Sequence, residues 1–361
     1  MWMSLTPHFP HWIPHSMKLP LFIGFIATLC TFSTPCFADS TSSDWPKIIQ
    51  ATTLVEFSKG IEITARQSWL DETEYLPEIN DDAYKWQERS TTVQITKSFK
   101  SSRFGFGYSQ GTIKQENEQY NDTDFALDRT APFVLADWKF TPKLASHVLV
   151  RFESFSNDGN SGFYQLENDK DLWTGYGSLR YTDNDWWLNL SYARNRDPEP
   201  IYDAINDRVD LDISAQELAG MTAGKMWTPQ WETALGLYYE AYGSTRPDQF
   251  NHTAEVTHKP QWFAGFQAGL GVGYYTEEQD TLVNLRLLYQ KQVSSNFTYQ
   301  VEYQLEYSDD EQSILNQGQL VAQYKITQHW IASASIEYSQ ESGDDKDKSL
   351  YAVAQLSYRI F

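Results

Sequence analysis

The chain has 361 residues and carries 48 acidic against 28 basic side chains, a net charge of −20 that argues against nucleic acid as a partner. Aromatic residues make up 15% of it, with 13 Trp and 22 Tyr, yet its mean hydropathy is −0.54. Such a chain fits a membrane only if half of its side chains face away from lipid, which a closed β-barrel allows and a helical bundle does not.

The first 38 residues hold one charged side chain, Lys18, then an apolar run from Leu19 (LPLFIGFIATLC) and the sequence Cys36-Phe37-Ala38, whose spacing suits a signal peptidase. The expected organisation is a signal peptide over 1–38, a short periplasmic segment over 39–59 and a barrel over 60–361. Residues 1–16 are uncharged and rich in His and Pro, so a start at Met17 would give a more ordinary signal. Both cysteines, Cys30 and Cys36, fall inside the signal and neither has a lipoprotein context. The mature chain is therefore expected to have no lipid anchor, disulfide, thiolate metal site or cofactor. Removing Lys18 leaves 27 basic against 48 acidic residues.

Beyond the leader, sixteen segments read as strands: 60–69, 86–99, 103–116, 131–141, 144–156, 172–183, 186–196, 214–227, 231–243, 251–260, 262–275, 281–292, 297–308, 315–327, 330–340 and 349–361. The signal is alternation with period two. In the segment from Phe297, the set Phe297, Tyr299, Val301, Tyr303, Leu305 and Tyr307 opposes Thr298, Gln300, Glu302, Gln304 and Glu306. In the last segment, Leu350, Ala352, Ala354, Leu356, Tyr358 and Ile360 oppose Tyr351, Gln355, Ser357 and Arg359. An even strand count brings both chain termini to the short-turn side.

The connections alternate in kind. Tight ones include Thr141-Pro142-Lys143, Asp183-Asn184-Asp185, Thr228-Pro229-Gln230, Lys259-Pro260-Gln261, Ser294-Ser295-Asn296 and Thr327-Gln328-His329. Several lead straight into an aromatic residue: Trp186, Trp231, Trp262, Phe297 or Trp330. This pattern predicts short periplasmic turns beside an interfacial aromatic girdle. The longer connections are acidic and are expected outside the cell: Asp71 to Lys85, Asn117 to Ala131, Asn157 to Asp171, Asp197 to Ile213 and Gly343 to Ser349.

With leader, alternation, girdle and a terminal strand ending in Phe361, the chain resembles Gram-negative outer-membrane β-barrel proteins. The resemblance implies an all-β transmembrane barrel, contact with outer-membrane lipid and lipopolysaccharide, and insertion by the barrel-assembly machinery through the terminal strand. Phe361 stands one residue out of register with the outward set ending at Ile360, so Tyr358 competes with it for the terminal aromatic role. The strand count and the acidic, aromatic-bearing interior also resemble, more weakly, the barrel domain of exopolysaccharide-export porins, which implies export-system partners.

Alternation assigns Glu62, Arg66, Arg103, Arg151, Glu153, Glu232, Glu240, Arg286, Glu302, Glu306, Glu337 and Arg359 to the inner face, as a mixed-charge lining with an acidic excess that favours cations. The same charges could instead close the lumen by pairing. Trp173, Trp187, Tyr238, Tyr242 and Tyr275 are the inward aromatics on which sugar rings could stack, unless they fill space. The loop Asp197 to Asp212 and the first long loop, with Asp71, Glu72, Glu74, Glu78, Asp81 and Asp82, could hold Ca²⁺, although neither has the ligand spacing of an EF-hand, and a solvated face explains them more simply. Only His147, His252, His258 and His329 remain after cleavage, and no nucleophile signature accompanies them. The expected function is a non-enzymatic pore or translocation channel. The alternatives are a polysaccharide conduit and a rim-active hydrolase.

Overall fold

The computed structural model describes residues 60–76, 82–117, 124–158, 166, 168–203, 208–241, 248–276, 280–309, 312–343 and 347–360. The proposed leader, Tyr242 and Phe361 lie outside the described residues. Sixteen strands run in order: β1 Gly60–Leu76, β2 Asp82–Ser98, β3 Ser102–Asn117, β4 Phe125–Thr141, β5 Leu144–Asn157, β6 Lys170–Thr182, β7 Trp186–Asp203 and β8 Arg208–Thr228. They continue as β9 Trp231–Ala241, β10 Gln249–His258, β11 Phe266–Tyr275, β12 Asp280–Gln292, β13 Phe297–Ser308, β14 Ile314–Lys325, β15 Trp330–Ser342 and β16 Lys348–Ile360. Each pairs antiparallel with the next, and β16 pairs back onto β1 from Ile61↔Ile360 to Thr73↔Lys348, closing the barrel.

Closure removes free edges, so every strand can satisfy its backbone in a medium without water. The outward side chains form an apolar belt that every strand enters, with Phe106, Phe152, Leu235 and Leu270 each about 60% exposed (61, 60, 64 and 59%). A continuous apolar surface around a closed sheet is incompatible with water and matches the hydrocarbon core of a bilayer.

The tight turns share one device. Thr141 Oγ1 accepts from the N–H of Lys143 (3.1 Å) and Leu144 (3.0 Å), and Thr228 Oγ1 from those of Gln230 and Trp231 (3.2 Å each). Ser294 and Thr327 do the same, to Asn296 and Phe297 and to His329 and Trp330. In each turn a hydroxyl ties the first residue of the next strand to the last residues of the one before, which is why Ser or Thr opens these turns. Lys143 Nζ donates to Asp183 at 2.6 Å and joins two neighbouring turns; that bond holds the Asp183 carboxyl below its ordinary range.

Trp186, Trp231, Phe297 and Trp330 each open a strand and face outward at this end. The expected strand start at Trp262 is corrected. Residues 259–265 form a longer turn with Gly265 at φ +87°, and Trp262 sits on it at 85% exposure, ahead of Phe266. Most of the stretches read as long acidic loops are also corrected. Asp71–Leu76, Asp82–Lys85, Phe125–Thr130, Asp197–Asp203 and Arg208–Asp212 continue the strands past the apolar belt. Backbone pairing needs no apolar face, so charged strands extend beyond the bilayer without a hydrophobic signature.

Candidate functional site in the barrel lumen

Strand spacing of about 4.8 Å and tilt of about 40° give a sixteen-stranded barrel a diameter of about 32 Å. Glu88 on β2 and Arg196 on β7 are five strands apart, about 26 Å across an undistorted wall of that size, far beyond the reach of two side chains. Yet Arg196 Nη2 donates to both Glu88 oxygens, at 2.6 and 2.7 Å. The upper part of the β7–β8 hairpin must therefore lean into the lumen.

The sequence shows where it turns. Up to Asn195 and down to Gln216, odd residues of β7 and even residues of β8 point inward (Ser191, Ala193, Asn195; Gln216, Leu218, Thr222). Beyond that level, among the described side chains, Arg196 on β7 and Leu211 and Ile213 on β8 are buried, out of step with the inward set below, while the pairing Asn195↔Gln216 and Arg196↔Ala215 is unbroken. A hairpin that rotates about its own axis in this way brings Arg196, Leu211 and Ile213 into the barrel mouth. Lys170 Nζ pins it, bonding Asp212 at 2.8 Å.

Two layers result. The inner one is ionic: Arg196 Nη1 is 3.4 Å from Glu153, and Arg129 lies 3.4 Å from Glu153 and 3.8 Å from Glu88. Arg151, fully buried, stands beside them with its guanidinium 5.8 Å from the Phe133 ring, and Thr174 Oγ1 donates to Glu153 at 2.7 Å. Above it lies an apolar cap in which Leu211 and Ile213 pack with inward residues of the opposite wall, Leu70, Trp86, Ile113, Leu127, Phe155 and Tyr351. Leu166 joins the cap because the Asn157 amide clamps its backbone, donating to Leu166 O (2.9 Å) and accepting from Leu166 N (2.8 Å). It also bridges Leu211.

The other charges pair nearer the short-turn end of the barrel or line the far wall. Arg103 Nε donates to Asp137 at 2.6 Å, and His147 Nδ1 lies 2.5 Å from the same carboxylate. Arg359 bonds Glu62, and Glu232 accepts from Lys259 Nζ (2.6 Å) and Trp187 Nε1 (2.8 Å). Arg286 on β12 reaches Glu255 on β10 at 3.2 Å across β11, possible because the inner face of β11 there is bare: a Cβ on Gly269 would stand 2.9 Å from Glu255 Oε1. On β13–β15, Glu337 accepts from Gln317 (2.6 Å) and Gln319 (2.8 Å), beside Glu302 and Glu306.

Of the charged residues assigned to the interior from sequence, Arg66, Arg103, Arg151, Glu153, Glu240, Arg286, Glu302, Glu306 and Glu337 are buried inside the barrel. Glu62, Glu232 and Arg359 lie near the short-turn mouth. Arg151 and Glu153 fall in the ionic layer, where they meet Glu88, Arg129 and Arg196. Glu88 was legible by parity, but Arg129 was not, because it lies in a stretch read as loop, nor was Arg196, which sits where alternation breaks. Trp187, Tyr238 and Tyr275 point inward. Trp173 is a correction: it is 41% exposed on the outer face, with the Arg194 guanidinium 4.6 Å from its ring, because β6 buries its even positions, Thr174, Tyr176 and Ser178. Among the described residues no group of three His, Cys, Asp or Glu is placed to hold a metal ion.

No family model and no curated protein matches the chain. Among solved structures it resembles a mutant of the TodX monoaromatic hydrocarbon channel (10% identity, covering 84% of this chain and 91% of that one, TM-score 0.49). It also resembles a bacterial polysaccharide outer membrane secretin (10%, 85% and 100%, 0.49) and the translocator domain of autotransporter NalP from Neisseria meningitidis (12%, 88% and 96%, 0.41). These are likenesses to barrels of diverse description. What identifies the class is the chain's own closed sheet and lipid-facing belt: it is a sixteen-stranded outer-membrane β-barrel.

Proposed function

We propose that the barrel is a gated outer-membrane channel, drawn here in its shut state. The single observation that carries this reading is Arg196 held by Glu88 from across the lumen under an apolar cap. A barrel built only as a scaffold has no need of a hairpin folded into its mouth, whereas a channel needs an obstruction that can leave. The lock is suited to movement because its members come from separate strands and, among the described residues, the outer part of the hairpin is held by side chains and a single backbone bridge, Leu211 to Leu166. Once the hairpin swings out, the carboxylates of β13–β15 give the path a preference for cations.

The test is conductance in planar bilayers. Wild-type barrel should conduct little, Glu88→Gln should conduct steadily, and adding Glu302→Gln and Glu306→Gln should lower cation preference. A steady, ohmic current from wild-type protein would defeat the gate. The export-conduit reading shares this gate and adds periplasmic partners; loss of a surface polymer on deletion of the protein would favour it. We assign the assembly signal to the terminal strand, where Ile360 and Tyr358 face outward against Ile61 and Ile63 of β1.

A further inference from the structure

The wall sorts its charges between lumen and lipid. Near the short-turn end four carboxylates point inward and each is held by a cation: Glu62 by Arg359, Asp137 by Arg103, Glu232 by Lys259 and Glu255 by Arg286. Three lysines at the same end take the other face. Lys97 on β2 is in phase with the exposed Val93 and Ile95, Lys225 on β8 with Met221, and Lys291 on β12 with Val283 and Leu285. Among the described residues none of the three has a carboxylate partner, in a chain with 48 acidic side chains.

Lys225 is the one set between tryptophans. Its register partners are Trp186 on β7 and Thr233 on β9. Trp227, 61% exposed, donates its Nε1 to Thr233 Oγ1 at 2.9 Å, which fixes the indole with the Lys225 ammonium 4.3 Å from its ring centroid. The ring face attracts the ammonium but carries no net charge to neutralise it. Trp186 is 42% exposed, and its indole N–H bonds nothing among the described residues. Of the carboxylates in the turn before it, Asp183 is taken by Lys143 and Asp185 makes no ion pair, so Lys225 has no counter-charge on the protein. One level toward the middle of the belt, the small Ala223 lies between its register partners Leu188 and Leu235, a shallow trough on the lipid-facing side.

An ammonium at the edge of the hydrocarbon needs an anion, and at that depth a lipid phosphate is the anion at hand. We propose that Lys225, Trp186 and Trp227 form a binding site for an anionic phospholipid, its phosphate on Lys225 Nζ and Trp186 Nε1 and an acyl chain along Ala223. With the short turns toward the periplasm, as expected from the sequence, the lipid comes from the inner leaflet. The site lies on the outside of the wall and works the same whether the lumen is open or shut.

The test titrates the full barrel in detergent with phosphatidylglycerol and reads bound lipid by native mass spectrometry, with phosphatidylethanolamine and lipid A as controls and folding checked by heat-modifiable electrophoretic mobility. Saturable binding of phosphatidylglycerol is expected, weaker by about fivefold in Lys225→Gln, the effect of one basic side chain on an anionic lipid. Lys225→Arg should restore it. Lys139→Gln, which removes an ammonium from the inner face between the exposed Trp138 and Phe140, should leave it unchanged. Thr233→Val, which releases the Trp227 indole without altering charge, should weaken it. Equal affinity for phosphatidylethanolamine, or equal losses in Lys139→Gln and Lys225→Gln, would overturn the site. A loss confined to lipid A would assign Lys225 to lipopolysaccharide and overturn the phospholipid as its occupant.

Discussion

Glu88→Gln is the sharpest perturbation of the gate, and its size follows from counting charges in the ionic layer. Three guanidiniums, Arg129, Arg151 and Arg196, share two carboxylates, Glu88 and Glu153, with side-chain exposures of 4% at Arg129 and Arg196, 12% at Glu88 and 0% at Glu153. Neutralising Glu88 leaves three buried cations on one carboxylate, and breaking a buried pair from one side costs about 3–5 kcal/mol. At about 1.4 kcal/mol per decade, the open population should rise by a factor of about 10² or more. Arg196→Gln leaves two cations on two carboxylates and should open the barrel less. Replacing the pair together, Arg196→Met with Glu88→Leu, exchanges an ion pair for apolar contact and should leave it shut, because such exchanges are often neutral or stabilising. Single-channel recordings in planar bilayers rank the three. If folded Glu88→Gln barrel conducts no more than wild type, or the Met/Leu pair conducts as freely as Glu88→Gln, the lock is not what closes the lumen.

Four further outcomes test other parts of the structure. Leu211→Asp places a carboxylate in the apolar cap, at a cost of about 3 kcal/mol, and should expel the hairpin, seen as faster proteolysis within residues 197–212 and higher conductance. Leu235→Arg, at the lipid-facing belt of β9, should destabilise the barrel by about 2–4 kcal/mol in reversible folding into lipid vesicles. Gly224→Ala drives a methyl into the Trp187 ring and should cost about 1–3 kcal/mol in the same assay, with altered tryptophan fluorescence. At the short turns, the Asp183 carboxyl is held low by Lys143, so the clasp is complete above the ordinary carboxylate range and is lost as pH falls through the lowered value. Lys143→Ala should move the Asp183 titration, followed by NMR of labelled aspartate, back upward.

How much of this was legible depends on the range of each interaction. Parity placed Arg66, Glu153, Glu302 and Glu337 on the inner face, because on a regular strand one bond rotation separates lipid from lumen and the side chain's own chemistry declares which it meets. Turn positions such as Thr228 and Thr327 were equally plain, since the hydroxyl acts on residues two and three further along. Trp173 and Trp262 were misjudged where a strand's facing or start was off by a few positions. The polar ends of β7 and β8 were missed because pairing above the bilayer leaves no apolar trace.

Strand number and facing were therefore determined by local alternation, which solvent partition imposes residue by residue. Whether the lumen is open was decided only in three dimensions. Arg196 meets Glu88 from 108 positions away, after both strands of its hairpin fall out of step with the inward set below. Contacts across a barrel join residues with no fixed spacing along the chain, so no period in the sequence can announce them.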